Sequence, residues 1–244
     1  MAPYLIRKYQ ESDRKWVVGL LSQGMVEHVP ATFRHVLKLP RTLVLLPGGA
    51  LALLLVSGSW LLALTFGLAL LPVLWFLAAR PWTEYVDMTL RTDMADITKS
   101  YLSEPGSCFW VAESEKKVVG TVGALPVDDP TLQEKRLQLC HLIVSSEHRG
   151  QGIAKALVRT VLQFARDQGY SEVVLDTTKM QLSAIALYQG MGFRKMGQRF
   201  ASMSWRLLYV HEVHFIYHLP SAQVGARDLF PCVSVSRGSS VLGQ

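Results

Sequence analysis

The segment Val144-Ser145-Ser146-Glu147-His148-Arg149-Gly150-Gln151-Gly152-Ile153-Ala154 joins an apolar run to an amphipathic one, and its residue types suit a phosphate. Gly150 and Gly152 let the backbone turn closely around a ligand. The free amides from about Gln151 to Ala154 then sit at a helix N-terminus, where partial positive charge favours an anion. The segment reads as a pyrophosphate cradle. It is not a P-loop, because GxxxxGK[ST] is absent, and not a dinucleotide fingerprint, because the third glycine position holds Lys155. A second cluster, His211, His214 and His218, has a metal-like look. In a strand, however, His211 faces opposite to His214 and His218, and no HExxH motif is present, so no metal is expected. Cys108, Cys140 and Cys232 are odd in number, far apart and without a CxxC pair, which favours a reducing compartment over a disulfide scaffold or a zinc ribbon.

The elements that must position the cradle can be read from periodicity. Arg136 to Val144 is apolar on both faces, hence a central strand. Gly152 to Gln168 is a helix with Ile153, Leu157, Val161, Phe164 and Ala165 on one stripe and Gly169 as its stop. Cys108 to Glu113 and Lys117 to Leu125 form an antiparallel hairpin around Ser114-Glu115-Lys116, and Asp128-Asp129-Pro130 opens a loop. Glu172 to Asp176 is a further buried strand, Leu182 to Gly190 a short helix, and Phe193 to Ala201 and His211 to Leu219 the last strands. Upstream, Tyr4 to Tyr9 is a strand. Ser12 or Asp13 caps a helix whose apolar positions are Trp16, Val17, Leu20 and Leu21, and Trp82 to Leu102 has helical spacing through Tyr85, Met88, Ala95 and Ile97. The order is mixed α/β. From Ser221 onward no period is evident, and residues 221–244 read as a flexible tail.

Half of the 244 residues are hydrophobic and 18% are charged, against roughly 25% in an average soluble domain. The deficit is concentrated in 38 consecutive residues, Thr42 to Ala79, without Asp, Glu, Lys, Arg or His. As one helix that block would be about 57 Å long, nearly twice a hydrocarbon core of about 30 Å. A helical hairpin divided at Ser57-Gly58-Ser59, a single span with an interfacial preface broken at Pro47-Gly48-Gly49, or a re-entrant segment are the candidates. Apolar content excludes disorder, and ordinary counts of Gly and Pro without a period exclude collagen-like and low-complexity chains. The net charge of +6 is dispersed, so an anionic cofactor or membrane surface is expected rather than nucleic acid.

Two signatures in order carry a resemblance. Arg149, Gly152 and Ala154 match [QR]-x-x-G-x-[GA] after a central strand. Ala184-Ile185-Ala186-Leu187-Tyr188-Gln189-Gly190-Met191-Gly192-Phe193 matches A-x-x-L-Y-x-x-x-G-F. The chain thus resembles the GCN5-related N-acetyltransferase superfamily, with Ser146 in place of a proline and Gln181 where Asn is frequent. From Tyr4 through the apolar block to Pro220 it is similar to the camello-like N-acetyltransferases, membrane-bound members of that superfamily. The fold implied is a mixed, mostly antiparallel sheet flanked by helices, with the hydrophobic membrane segment inserted between the first two helices.

The resemblance implies acetyl-CoA as co-substrate, with the pyrophosphate on the amides of Arg149, Gly150, Gln151, Gly152, Ile153 and Ala154. The pantetheine arm would lie along the backbone of Leu142, Ile143 and Val144, and Gln181 near the cofactor arm. Tyr188 matches the usual acid for the leaving thiolate. An alkylammonium has a pKa near 10, so a base is also required, and Asp176 and His141 are the two candidates. The acceptor implied is a small amphiphilic amine, the α-amino group of a cysteine S-conjugate on the way to a mercapturic acid, or alternatively a lysine of secretory-pathway proteins. A catalytically silent, membrane-tethered scaffold is the reading from another class. Because the first strand precedes the block yet belongs to the same sheet as the strands beyond it, the block must return the chain to the side it left. The expected organisation is 1–41 and 80–220 as the acetyltransferase domain facing the cytosol and 42–79 in the membrane of the endoplasmic reticulum, in contact with lipid.

Overall fold

The computed structural model describes residues 4–127 and 135–220; the Asp128-Asp129-Pro130 loop and the tail 221–244 lie outside them. Runs rich in Val, Ile, Phe and Trp form β1 (Tyr4–Lys8), β2 (Cys108–Ser114), β3 (Lys117–Pro126), β4 (Arg136–Val144), β5 (Glu172–Thr178), β6 (Arg194–Arg199) and β7 (Glu212–His218). They make one sheet in the order β1-β2-β3-β4-β5-β7-β6. Every pairing is antiparallel except β4 with β5. At the β2–β3 turn Glu115 and Lys116 both have positive φ, 49° and 62°, the geometry of a tight hairpin turn.

One face of the sheet is covered by the helix α5 (Ile153–Asp167), whose Ile153, Leu157, Val158, Val161 and Ala165 are fully buried against β2, β3 and β4. Phe164, on the expected stripe, is only half-buried and meets the edge of Trp110 with ring centroids 5.1 Å apart. The other face carries α1 (Arg14–Val26) and the lower end of a long helix, packed through Val17, Leu21, Trp82, Met94, Ile97 and Tyr101. Trp16, expected on the inner stripe of α1, is 48% exposed, because the stripe in contact is Val17, Leu21, Gly24 and Met25. Asp13 holds the N-cap position of α1 without a side-chain cap bond. Its carboxylate instead accepts from the Gln10 amide at 2.9 Å and from Arg7 at 2.6 Å, and Arg7 reaches Glu113 at 2.7 Å, tying β1, β2 and α1 together.

The apolar block folds as a helical hairpin. The helix α2 (Val29–Leu37), unread in the sequence, leads into α3 (Pro40–Ser57). Gly58, at φ 66°, ends α3 in the left-handed conformation, and α4 (Trp60–Arg91) returns. Pro47-Gly48-Gly49 does not break α3. At Gly49 an added Cβ would lie 2.6 Å from the Phe66 ring, so this glycine is where the two helices approach. Both helices are long and apolar enough to cross a membrane, and only 6% and 11% of their most apolar stretches are covered by the rest of the chain, too little for core helices. The helix expected over Trp82 to Leu102 is instead the continuation of α4. It stops at Arg91, and a separate π-helical turn, Thr98–Leu102, comes after it. The last helix before β6 is α6 (Leu182–Gly190), and a five-residue helix, α7 (Met203–Leu207), sits between β6 and β7.

Candidate active site

The cradle takes its shape from two left-handed glycines. Gly150 has φ 78° and Gly152 has φ 82° at the N-cap of α5, and a Cβ at either would meet nothing within 4 Å. The backbone conformation alone demands glycine there. The first-turn amides of α5, from Ile153 and Ala154 onward, have no intrahelical acceptor, so they face out from the turn as an anion site. Arg149, in extended conformation, donates from Nε to the Val144 carbonyl at 3.0 Å and from Nη2 to Glu27 beyond the end of α1 at 2.5 Å, fixing the turn to the end of β4.

Next to the turn, the sheet opens. β4 and β5 pair only at Arg136–Glu172, Leu137–Val173 and Gln138–Val174, after which the strands separate and the edge of β4 through Leu142, Ile143 and Val144 has no ladder partner on that side. The opposite edge is bulged: His141 and Leu142 stand where β3 offers only Val122, and His141 has φ 53°, rare for a residue with a Cβ. The opening widens into a cavity of about 490 Å³ that brings together His141, Leu142, Asp176, Gln181 and Tyr188. Ile143, Val144 and Arg149 border a separate small cleft against α1, and Gly150 to Ala154 lie beyond both.

Within the cavity, Tyr188 is 5% exposed and packs on Phe193 and Phe215, and burial pushes its phenol well above the ordinary tyrosine value. Gln181 turns its carboxamide oxygen to the Thr177 hydroxyl (2.9 Å) and the Thr178 amide (3.1 Å), and its nitrogen toward His28. Asp176 is engaged on both oxygens, by His214 at 3.0 Å and by Arg199 at 3.2 Å. Glu212 stands beside it, and burial together with the Asp176 charge raises its carboxyl above the usual range. The remaining wall is aromatic: Trp82 and Tyr85 come from α4, and Trp205 from α7 meets Trp82 edge-on at 4.9 Å.

The Acetyltransferase (GNAT) family matches residues 74–193, which hold both the cradle and Tyr188. Human N-acetyltransferase 8B is 79% identical over 92% of this chain and 99% of its own length. Human N-acetyltransferase 8 is 78% identical over 93% and 100%. The chain belongs to the GNAT acetyltransferases, in their camello-like N-acetyltransferase 8 branch. A GNAT-family acetyltransferase from Staphylococcus aureus has the same fold, with a TM-score of 0.55 at 16% identity over 88% of this chain and 99% of that one. GNAT enzymes take the acetyl group from acetyl-CoA, and the chain is accordingly an acetyl-CoA-dependent N-acetyltransferase by family.

One ion pair beside this GNAT cavity escaped the sequence. Asp93, just past α4, meets His141 Nε2 at 2.6 Å. Burial opposes its ionisation, but the bond and charge of His141 with the Tyr101 and Thr92 hydroxyls hold its carboxyl down at about 2. Only tertiary structure makes this pair, and the one local signal was an acid in a short segment that holds a second one, Asp96. Of the histidine cluster, His214 and His218 pair with Asp176 and Glu172 at 3.0 Å each, and His211 stacks on Phe200 at 4.1 Å. Among the described residues no group of three or more His, Cys, Asp or Glu is arranged to hold a metal.

Proposed function

We propose that the chain is a membrane-embedded N-acetyltransferase that acetylates the α-amino group of cysteine S-conjugates, yielding mercapturic acids. The observation that carries this reading is the cavity wall itself. The helix that supplies Trp82 and Tyr85 to the site is the one that continues from the exposed apolar hairpin. An amphiphile dissolved in a bilayer reaches the site along that helix, and its S-substituent finds aromatic side chains. The head of such a substrate is a zwitterion, which fits the pairing of Asp176 and Glu212 with Arg199 at the same cavity. A lysine side chain in a protein offers only the cation.

In this reading the amides of Gly150 to Ala154 hold the pyrophosphate, and the open backbone edge of Leu142 to Val144 pairs with the pantetheine arm beside Gln181. Tyr188, kept protonated by burial, gives its proton to the departing thiolate. Residues 42–79 lie in the membrane of the endoplasmic reticulum as a returning hairpin, with 1–41 and 80–220 on its cytosolic side. The test is kcat/KM for S-alkyl cysteines of increasing chain length against a lysine peptide, with the full-length protein in nanodiscs. The reading expects kcat/KM to rise with chain length and to exceed that of the peptide. No dependence on chain length, or a preferred peptide, would overturn it in favour of the protein-lysine acceptor.

A further inference from the structure

We propose that Asp93 is the positioning residue for the proton acceptor of the reaction, an Asp93–His141 pair whose imidazole Nδ1 removes the proton of the acceptor amine. The inference rests on the N-acetyltransferase reading and decides between the two bases that the sequence left open. Four observations carry it. His141 lines the cavity that holds Tyr188, and its side chain is only 6% exposed. Its Nε2 meets an ionised Asp93, which can only accept, so Nε2 carries the hydrogen and Nδ1 the lone pair. Nδ1 is buried and has no hydrogen-bond partner among the described residues, although buried polar atoms seldom lack one, so a substrate seated in the cavity must open a path to it. Finally, the imidazole is carried on a bulged residue at φ 53°, a conformation that a histidine adopts only when its surroundings enforce it.

The enforcement is visible as a chain of donors. The Cys140 thiol, pushed up to about 12 by burial, keeps its proton, and because the Tyr101 hydrogen is committed to Asp93, the S–H donates a hydrogen bond to the Tyr101 oxygen at 3.3 Å. The Tyr101 hydroxyl donates to Asp93 Oδ2, the oxygen that also receives His141, and the Thr92 hydroxyl, whose one hydrogen is shared between the Met88 carbonyl at 2.9 Å and Oδ1 at 3.1 Å, lies beside the other oxygen. The titratable groups around the imidazole are thus Asp93 after α4, Tyr101 on the π-helical turn, Cys140 on β4, and, across the cavity, Tyr85, Tyr188 and the Asp176, Glu212 and Arg199 set. Asp93 is the charged group among them that contacts the imidazole, and it stabilises the imidazolium that forms when Nδ1 accepts the proton. Asp176 has no comparable freedom, since His214 and Arg199 occupy both of its oxygens. The proton goes from the acceptor ammonium to Nδ1, the freed amine forms the bond to the acetyl carbon, the carbon–sulfur bond breaks with Tyr188 protonating the thiolate, and the second amine proton, shed as the amide forms, returns to the Tyr188 oxygen.

The experiment measures kcat/KM against pH for the full-length protein in nanodiscs, with S-benzylcysteine, in wild type, Asp93→Asn, His141→Gln and the double variant. Acetyl-CoA affinity is read by calorimetry. Asp93→Asn should lower kcat by tenfold or more, move the acidic limb down by at least half a pH unit, and leave acetyl-CoA affinity within about twofold. His141→Gln should abolish the limb, and adding Asp93→Asn to it should cost less than about threefold more, because groups acting as one unit are not additive. Tyr101→Phe, which keeps a buried ring, removes a donor from the carboxylate and should move the limb upward. A limb unmoved in both single variants, additive losses in the double variant, or a matching loss of acetyl-CoA binding would each overturn the pair as base. A wild type without turnover on any amine would overturn the N-acetyltransferase reading together with the pair, whereas an active wild type with unmoved limbs overturns the pair alone.

Discussion

Gly152→Ala tests the cradle with a magnitude that the structure bounds in advance. The residue stands at φ 82° and ψ 1°, and its added Cβ would meet no atom within 4 Å, so the perturbation is one of backbone conformation without a clash. Placing an L-residue there costs about 1–2 kcal/mol. That strain can surface in two places. If the turn holds its shape, the free protein loses the full amount, and Tm falls by about 2–8 °C, at about 2–4 °C per kcal/mol for a chain of this size, with acetyl-CoA affinity unchanged. If the turn relaxes, stability is preserved and the strain reappears on binding, as a Kd weaker by about 5- to 30-fold. The unfolded chain and the bound complex are the fixed ends of the cycle, so the two losses must sum to about 1–2 kcal/mol however they divide. Thermal unfolding in nanodiscs and calorimetry of acetyl-CoA binding together give that sum. A sum near zero would mean that the left-handed turn is not used in the complex. A sum above about 4 kcal/mol would mean that the space around Gly152 is filled there by something the free chain does not hold.

Tyr188→Phe keeps the packing on Phe193 and Phe215 and removes only the hydroxyl; kcat should drop by about 100-fold or more with acetyl-CoA affinity unchanged, and full activity would exclude Tyr188 as the acid. Trp82→Ala empties a fully buried site and strands the Thr32 hydroxyl, now 2.9 Å from the indole N–H. It should cost about 3–5 kcal/mol in unfolding and raise KM for S-benzylcysteine more than for S-methylcysteine. Burial alone would raise the Asp13 pKa, but Arg7 and the Gln10 amide bring it below the ordinary carboxylate value. Its contribution is therefore present above about pH 4 and is lost as pH falls through the folded pKa. Asp13→Asn should lower Tm at pH 7, with a difference from wild type that shrinks progressively as pH falls below about 4, measured by thermal melts across that range.

What could be read from the chain was what repeats locally. β4 was legible from Arg136 to Val144 because apolar residues stand on both of its faces, α6 had the bounds expected, and the glycines of the cradle announced the turn into α5. Short elements without a full period were not. α7 has five residues and is held by the Ser202 side chain, which accepts from the Trp205 amide, and α2 begins only two residues after α1 ends. The break at Thr92 was hidden because apolar positions on either side keep helical spacing by chance. That break matters most for the site. It frees Asp93 to turn toward His141, 48 residues further on, and no pattern in the sequence marks a pairing at that distance. The sequence also placed Asp176 beside the cleft while giving no sign that Arg199 and His214 already hold it.

The pairing of β1 with β2 has a consequence for how the protein is made. Tyr4 lies opposite Ser114, so the first strand is synthesised 110 residues before its partner. At about 5–20 residues per second, the ribosome needs roughly 5–20 s to cover that distance. During this interval β1 and α1 have no sheet to join, while the apolar hairpin, whose contacts are local, is already complete. In the membrane-embedded reading proposed above, insertion and catalytic folding are thereby ordered in time: the hairpin is available to a bilayer before the sheet it interrupts can close, and the waiting N-terminal strand stays tethered at the surface where its partners will emerge.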